Sequence, residues 1–301
     1  MNGDIVFVRH QDIDYDKWDR TIERSVNSIV YAFSWYLDEV CTTWDALVGG
    51  KYECVMPLTS NTKAGIKYLY QPFFTQQLGV FSPKPMDMET IRMFIEAIPA
   101  EYRYVDISFN THNIVPADYS LMKRTTYELE LHGQYEEIFG NYSDNTVRNI
   151  KKAKENKLSI RYGLPVRDIL ALKKREANNL SDNNYVVLER LMKTCIEKNR
   201  AVSLGAFKDT HLCAAVFFVL SAKKAIYLVA VSDEQGKNDR AMFLLVDHFI
   251  KTHIGKISIL DFEGSEIPGI ARFFHGFSAK AVNYSRVKIN RLPWYMRIWK
   301  K

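Results

Sequence analysis

Residues 225–262, AIYLVAVSDEQGKNDRAMFLLVDHFIKTHIGKISILDF, contain the most regular succession of elements in the sequence. The uninterrupted apolar run at 225–231 predicts a buried strand, and the polar residues 232–240 predict a loop. Apolar side chains recur at helical spacing through 241–253, and 257–262 reads as a second strand. The order is therefore strand, loop, helix, strand.

A hairpin, a helix and a strand within residues 51–109 repeat this order in the first half. Gly79 and Gly236 are 157 residues apart, and Asp106 and Asp261 are 155 residues apart. The similar offsets favour an internal duplication, although short motifs of this kind also recur by chance. A length of 301 residues accommodates two domains of about 150 residues.

The composition is that of a folded protein: 47% hydrophobic and 25% charged residues with a net charge of +6. These values exclude a disordered or collagen-like chain, and the charge falls short of a dedicated nucleic-acid binder. No run of eighteen apolar residues or signal peptide is present, which favours a cytoplasmic protein. The four cysteines form no CxxC pair, so we expect neither a disulfide framework nor a metal site.

A polar segment connects the two halves. Residues 127–131 alternate like a half-buried strand, and 135–157 predict a basic joining helix interrupted near Asn141. The run RNIKKAK at 148–154 is the densest basic stretch in the sequence. It is either a solvated helix face of mixed sign or an anion-recognising groove that could bind RNA.

Four segments carry a resemblance to a known family. TYELEL at 126–131 and TVRNIKKA at 146–153 resemble the junction between the two units of Fem-type peptidyltransferases. QPFFTQQLG at 71–79 and DFEGS at 261–265 resemble segments of Fem-related bacterial proteins of the GNAT (acyl-CoA N-acyltransferase) superfamily. Together with the element order, the resemblance covers roughly residues 5–285. It implies an α/β fold of two tandem GNAT-like units, with mixed sheets flanked by helices and facing a shared cleft.

The resemblance also implies domains, an activity and partners. We expect an N-terminal unit at 1–126 and a C-terminal unit at 127–301. The implied activity transfers an acyl or aminoacyl group, from acyl-CoA or aminoacyl-tRNA, to an amine acceptor that is a small molecule or resembles a cell-wall precursor. Residues 235–241 keep only fragments of the Q/R-x-x-G-x-G/A donor loop, and the long coiled-coil arm of the tRNA-dependent Fem enzymes is absent. The alternative is therefore a non-catalytic binding protein with a degenerate donor site.

The loop at 232–240 is the candidate donor site. Backbone N–H groups at the start of the following helix can bind a pyrophosphate, and the helix dipole favours that anion. Gly236 allows the backbone to approach closely, and Lys237 could add charge. The cofactor-binding candidates form one short group: Val231, Gly236, Asn238, Arg240 and Ala241. The alternative is an ordinary solvated loop.

The end of the strand at 257–262 supplies candidate catalytic groups. Asp261 and Glu263 share one face of the strand. Glu263 is the candidate base that deprotonates the amine, and Ser265 offers a hydroxyl. Asp261 is a substrate-binding candidate, with a structural role as the favoured alternative. Tyr227 is a core residue by default, and the resemblance adds the role of the acid that protonates a leaving thiolate.

Two aromatic and basic segments complete the candidates. In the segment 270–277, Arg272 could grip an anion, Phe273 could line the acceptor pocket, and His275 is a further substrate-binding candidate. A short helix whose phenylalanines are core residues is the alternative. The tail at 291–301 mixes cations with tryptophans, which suits either an anionic membrane surface or, as we favour, docking on the fold.

Overall fold

A computed structural model describes residues 4–41, 43–177, 179–264 and 267–294, with the side chains of Ser120 and Leu121 excepted. The chain forms two compact units. Unit 1 contains the residues up to 124 and those from 283 onward, and unit 2 contains residues 125–282. We predicted a boundary between residues 126 and 127, whereas unit 2 begins at residue 125 and the residues after 282 lie with unit 1. No helix in the described part of the chain combines the length and the apolar character needed to cross a membrane.

The elements are numbered in chain order. The strands are β1 (Ile5–Val8), β2 (Trp44–Gly49), β3 (Cys54–Lys63), β4 (Ile66–Tyr70), β5 (Tyr104–Ser108), β6 (Ser120–Glu130), β7 (Ser159–Tyr162), β8 (Ala201–Lys208), β9 (His211–Leu220), β10 (Lys224–Ser232), β11 (Ile259–Asp261) and β12 (Lys280–Asn290). The helices are α1 (Tyr15–Arg24), α2 (Ser34–Val40), α3 (Met88–Glu96), α4 (Tyr135–Gly140), α5 (Asp144–Glu155), α6 (Val166–Glu176), α7 (Asp182–Glu197), α8 (Glu234–Asn238), α9 (Ala241–His253) and α10 (Pro268–Gly276).

Unit 1 contains a mixed sheet. Strands β1 to β4 pair in sequence order as antiparallel neighbours, and β5 lies parallel to β4. The last described strand, β12, pairs with β5 in antiparallel register, with Arg286 opposite Ser108 and Asn290 opposite Tyr104. The apolar face of α3 packs against this sheet through Ile91, Phe94 and Ile95, which are fully buried.

The strands of unit 2 are also paired in a mixed arrangement. Strands β7 to β10 follow one another as antiparallel neighbours, β11 lies parallel to β10, and β6 pairs with β11 on its other edge. The core lies between this sheet and helices α5, α9 and α10. Phe249 of α9 stacks on Phe218 of β9 with ring centroids 3.7 Å apart, so this contact fixes the apolar face of α9 on the sheet.

The predicted α/β fold, with mixed strand pairing flanked by helices, is confirmed. Helix α9 begins and ends where the periodicity predicts, and the predicted interruption near Asn141 separates α4 from α5. Two features differ from the prediction. Strands β2 and β12 were not predicted, and the loop at 232–240 contains a short helix, α8. All four cysteines are free and buried, as the sequence predicts.

Candidate functional site

The candidate site lies where two parallel strands of unit 2 separate. Strand β10 pairs with β11 only through Lys224, Ala225 and Ile226, whereas it pairs with β9 as far as Ser232. After Asp261 the chain follows β6 instead: the Phe262 N–H donates to the carbonyl of Tyr127 at 2.9 Å. The edge of β10 from 227 to 232 therefore has no strand partner among the described residues.

A β-bulge reinforces the separation. The register between β10 and β9 shifts between Tyr227 and Val229, which places an extra residue, Leu228, in β10. A bulge bends its strand and redirects the side chains that follow it. It lies at the first residues that β10 extends beyond β11.

A cavity of about 370 Å³ occupies the space beside this free edge. Its walls are mostly apolar, and its volume lies within the range of small-molecule sites. The residues that line it come from β10, α8, α9 and α10: Tyr227, Ala230, Val231, Ser232, Gly236, Lys237, Arg240, Met242, Phe243, Gly269, Ile270, Phe273 and Phe274.

One end of the cavity is formed by the start of α9. Among the described residues no side chain caps the first turn of this 13-residue helix, and its N-cap residue, Arg240, has a left-handed backbone with φ of +61°. The uncapped N–H groups of a helix start attract anions. Lys237 and Arg240 are exposed at the same end and add two positive charges.

Gly236 lines the cavity, but the structure gives it a packing role. A Cβ atom at this position would lie 2.3 Å from the carbonyl oxygen of Cys213 on β9. The Gly236 N–H already donates to Oδ1 of Asp233 at 2.7 Å. The glycine is required because α8 packs on the backbone of β9, and its N–H is occupied rather than free for a phosphate.

Tyr227 stands at the apolar end of the cavity. Its ring is surrounded by Phe218, Phe262 and Phe274 with centroid distances of 5.6 to 6.1 Å. Burial raises the pKa of the Tyr227 hydroxyl well above its ordinary value near 10. The side chain is therefore a neutral phenol at physiological pH and can donate a proton.

Asp261 belongs to a buried ion cluster. Its carboxylate accepts hydrogen bonds from the Thr126 hydroxyl at 2.6 Å and from Nζ of Lys224 at 3.2 Å, and Lys224 also contacts Glu128 at 2.6 Å. Burial by itself would lower the pKa of Lys224, but the combined attraction of the two carboxylates is larger, and the pKa is raised above its ordinary value. Burial also raises the pKa of Glu128. Asp261 does not line the cavity, which supports the structural alternative.

Glu263 follows β11 directly, is half-buried and does not line the cavity. Its backbone N–H donates to Oδ1 of Asp261 at 2.9 Å, and its φ of +59° lies in the left-handed region. This conformation turns the chain away from β10 at the point where the strands separate. Ser265 lies outside the described residues.

The remaining candidates divide between the cavity and the surface. Phe273 lines the cavity, whereas Arg272 and His275 are exposed on other faces of α10, and His275 packs edge-on against Tyr127. Asn238 is exposed at the end of α8, and Ala241 is buried in the core at the start of α9. The structure thus brings together five predicted residues: Tyr227, Val231, Gly236, Arg240 and Phe273.

Several lining residues were not predicted as site residues. Met242 and Phe243 lie in the first turn of α9, while Gly269 and Ile270 lie in the first turn of α10. The sequence indicates Lys237 only as an additional charge. The one available signal in the sequence was the proximity of Met242 and Phe243 to the donor loop. Helical periodicity assigns the apolar faces of α9 and α10 to the core, but it does not show which turn lines a cavity.

The joining helix has the mixed surface expected of a solvated helix. In α5, Lys151 faces Glu155 at 4.0 Å, and Lys154 lies 3.8 Å from the buried carboxylate of Asp247. The tail residues 295–301 lie outside the described residues.

Solved structures with a similar fold are known, although the sequence of the chain matches neither a protein-family model nor a curated protein. The structure is similar to that of FemX, with a TM-score of 0.70 at 10% identity over 95% of this chain and 98% of that chain. A conserved protein of unknown function from Bacteroides thetaiotaomicron VPI-5482 gives a TM-score of 0.64 at 10% identity, over 91% and 96%. A tandem GNAT protein from the clavulanic acid biosynthesis pathway gives 0.57 at 11% identity, over 96% and 99%. The chain therefore has the tandem GNAT-type fold, as the resemblance implied.

Proposed function

We propose that this protein is an N-acyltransferase that binds an acyl-CoA donor in the cavity of unit 2. The observation that carries the proposal is the free edge of β10 at 227–232, which borders an apolar cavity ending at the uncapped start of α9. A donor of this class has an extended arm with two amides, an anionic pyrophosphate and an acyl thioester. Each of these parts has a complementary surface in the cavity.

The arm suits the free strand edge. Unpaired N–H and C=O groups on a sheet edge bind extended amide-containing chains as an added strand would. The apolar walls of the cavity remove such a chain from water, because Met242 of α9 and Phe273 of α10 both line it. The pyrophosphate then lies at the start of α9, where Lys237 and Arg240 supply charge.

The reacting end lies beside Tyr227. In the proposed reaction the amine attacks the thioester carbonyl, a C–N bond forms and the C–S bond breaks. The leaving sulfur takes the proton of the Tyr227 phenol, and the amine proton passes to a base. Glu263 remains our candidate base, since it is half-buried and directly follows the strand that separates from β10.

Unit 1 contrasts with unit 2 at the corresponding place. Beyond the pairing of β4 and β5, Leu78 forms a parallel bridge with Phe109, and its N–H donates to the Ser108 carbonyl at 2.8 Å. The Gln71 side chain accepts the Ser108 N–H at 2.9 Å, and Asp87 caps the first turn of α3. The chain itself fills the space that a donor arm would need, which favours unit 2 as the catalytic half.

Calorimetric titration with CoA, acetyl-CoA and a longer acyl-CoA tests the donor. We expect binding of at least one ligand, weakened at least tenfold when Lys237 and Arg240 are both changed to Ala. The matched control changes Lys151 and Lys152 of α5 to Ala and leaves the affinity unchanged. Absence of binding at millimolar concentrations would reject a CoA donor; equal loss in both double variants would point to nonspecific charge attraction.

One observation favours the second candidate, a non-catalytic binding protein. The Gly236 N–H is already bonded to Asp233, so α8 offers less to a phosphate than an open glycine loop does. If this alternative holds, the protein binds the donor but releases no free thiol with any amine of a test panel. The affinity for the donor is then unchanged in Glu263→Gln. Thiol release that Glu263→Gln abolishes would contradict it and support catalysis.

A further inference from the structure

A mixed group of three side chains lies outside the set of residues that line the cavity. Their ligand atoms, one each from His211, Cys213 and Asp233, lie within 4.8 Å of one another. His211 and Cys213 lie near the start of β9, where the register with β8 shifts and leaves Cys213 as the extra residue of a β-bulge. Asp233 follows β10, the antiparallel neighbour of β9.

We propose that His211, Cys213 and Asp233 form a binding site for a divalent transition-metal ion of the zinc class. One imidazole nitrogen, one thiolate and one carboxylate oxygen are a donor set that Zn²⁺ and Co²⁺ accept. Three protein ligands leave a fourth tetrahedral position for water or an external ligand.

The carboxylate is already oriented for this role. Oδ1 of Asp233 accepts the Gly236 N–H at 2.7 Å, which leaves Oδ2 directed toward Nε2 of His211 at 2.6 Å. A ligand oxygen whose partner oxygen is held by a backbone N–H has the fixed orientation that second-shell contacts provide. An ion replaces the direct contact between Oδ2 and Nε2 and requires only a small separation of these two atoms.

The three ligands differ in access. The His211 side chain is exposed, whereas Cys213 and Asp233 are buried, so an ion can approach from the histidine side. The nearest cation, Arg175, lies 3.7 Å from Oδ2 of Asp233 with its side chain 56% exposed, and it can move into solvent. Lys208 and Asp239 lie nearby and contact each other at 4.0 Å.

Metal binding changes the bonding of Cys213. The thiol of this fully buried residue donates to the backbone carbonyl of His211 at 3.4 Å. Binding breaks the S–H bond, forms a metal–sulfur bond and releases one proton to solvent, while His211 coordinates through Nε2.

Titration of the reduced full-length protein with Co²⁺ tests the site. We expect one equivalent to bind, with a thiolate-to-cobalt charge-transfer band, visible bands of tetrahedral Co²⁺ and their loss on addition of Zn²⁺. Cys213→Ser removes the charge-transfer band, and the exposed substitution His211→Gln weakens binding at least tenfold. Calorimetry at neutral pH in two buffers of different ionisation enthalpy shows release of about one proton per ion.

The controls are His112→Ala and Cys195→Ser, which replace an exposed histidine in unit 1 and a buried cysteine on α7. Both keep the full spectrum. Absence of the charge-transfer band in the wild-type protein would overturn the proposal, as would a spectrum that survives Cys213→Ser. In either case the three side chains form only a hydrogen-bonded group. Because His211 is exposed, His211→Gln preserves the fold and keeps the affinity measurement interpretable.

Discussion

At the scale of single residues, unit 2 uses its buried polar groups in two ways. Lys224, Glu128 and Asp261 neutralise one another where β10 and β11 still pair, and Tyr227 follows where they no longer do. Buried charges are tolerated when each has a partner, so the cluster can lie directly beside an apolar cavity. Two residues of β10, Ala225 and Ile226, therefore separate a structural group from the proposed reacting group.

Tyr227→Phe is expected to lower kcat about 100-fold and to leave donor affinity unchanged, because only the proton donor is lost. Since burial raises the pKa of Tyr227, the phenol stays protonated through pH 9, and no alkaline decline of kcat in that range comes from it. Thiol-release kinetics and calorimetry measure the two quantities. The control Tyr162→Phe removes an exposed hydroxyl in β7; equal effects of both substitutions would exclude a catalytic role.

Lys224→Met is expected to destabilise the protein by about 3–5 kcal/mol, since it leaves the carboxylates of Glu128 and Asp261 buried without a cation. Urea unfolding followed by circular dichroism measures the loss. Adding Glu128→Gln and Asp261→Asn to the variant should recover part of the stability. The control is Lys223→Met, which changes the neighbouring exposed residue. A similar loss of stability in that variant would refute the buried-charge explanation.

At the scale of elements, the shape of the cavity depends on how two short helices are seated. Helix α8 lies against β9 through Gly236, and α10 faces the cavity with its first turn. The aromatic contact between Phe243 and Phe273, with centroids 4.8 Å apart, joins the starts of α9 and α10. The cavity is therefore bounded by helix starts on a rigid sheet.

Gly236→Ala is expected to destabilise the protein by about 1–3 kcal/mol and to weaken donor binding, because the new Cβ displaces α8 from the Cys213 carbonyl. Gly269→Ala is the matched control. A Cβ at Gly269 meets no described atom within 4 Å, so stability should change by less than about 0.5 kcal/mol. Thermal unfolding and calorimetry measure both variants, and equal stability losses would contradict the packing explanation.

At the scale of the whole molecule, the chain returns to unit 1 after completing unit 2. Val287 of β12 is fully buried in the core of unit 1, and Arg286 forms an ion pair with Asp106 on β5. Unit 1 is therefore built from two separate parts of the sequence. The folding of its sheet depends on residues at the opposite end of the chain.

Truncation after Val282 is expected to expose β5, which loses the antiparallel partner at 286–290. Amide hydrogen exchange should show loss of protection at 104–108, while β9 and β10 of unit 2 keep theirs. A chain that ends at 294 retains β12 and is the control. Unchanged protection of β5 in the shorter chain would show that β12 contributes little to the stability of unit 1.

Much of the fold was predictable because it depends on local periodicity. The uninterrupted apolar run at 225–231 predicted β10, and the 3.6-residue spacing of 241–253 predicted α9. The site was predicted in part. Val231, Gly236 and Arg240 flank a loop that the resemblance identified, whereas Gly269 and Ile270 reach the cavity only because α10 folds back over it.

The sequence by itself determined the order of most strands and helices in both halves, with β2, α8 and β12 as the exceptions, since the predicted elements have their own apolar patterns. Tertiary structure alone decided where β10 and β11 separate, that Gly236 packs on Cys213, and that β12 belongs to unit 1. The physical reason is that the spacing of apolar residues along the sequence indicates which side chains are buried. It does not indicate which distant strand, carbonyl or carboxylate those side chains pack against.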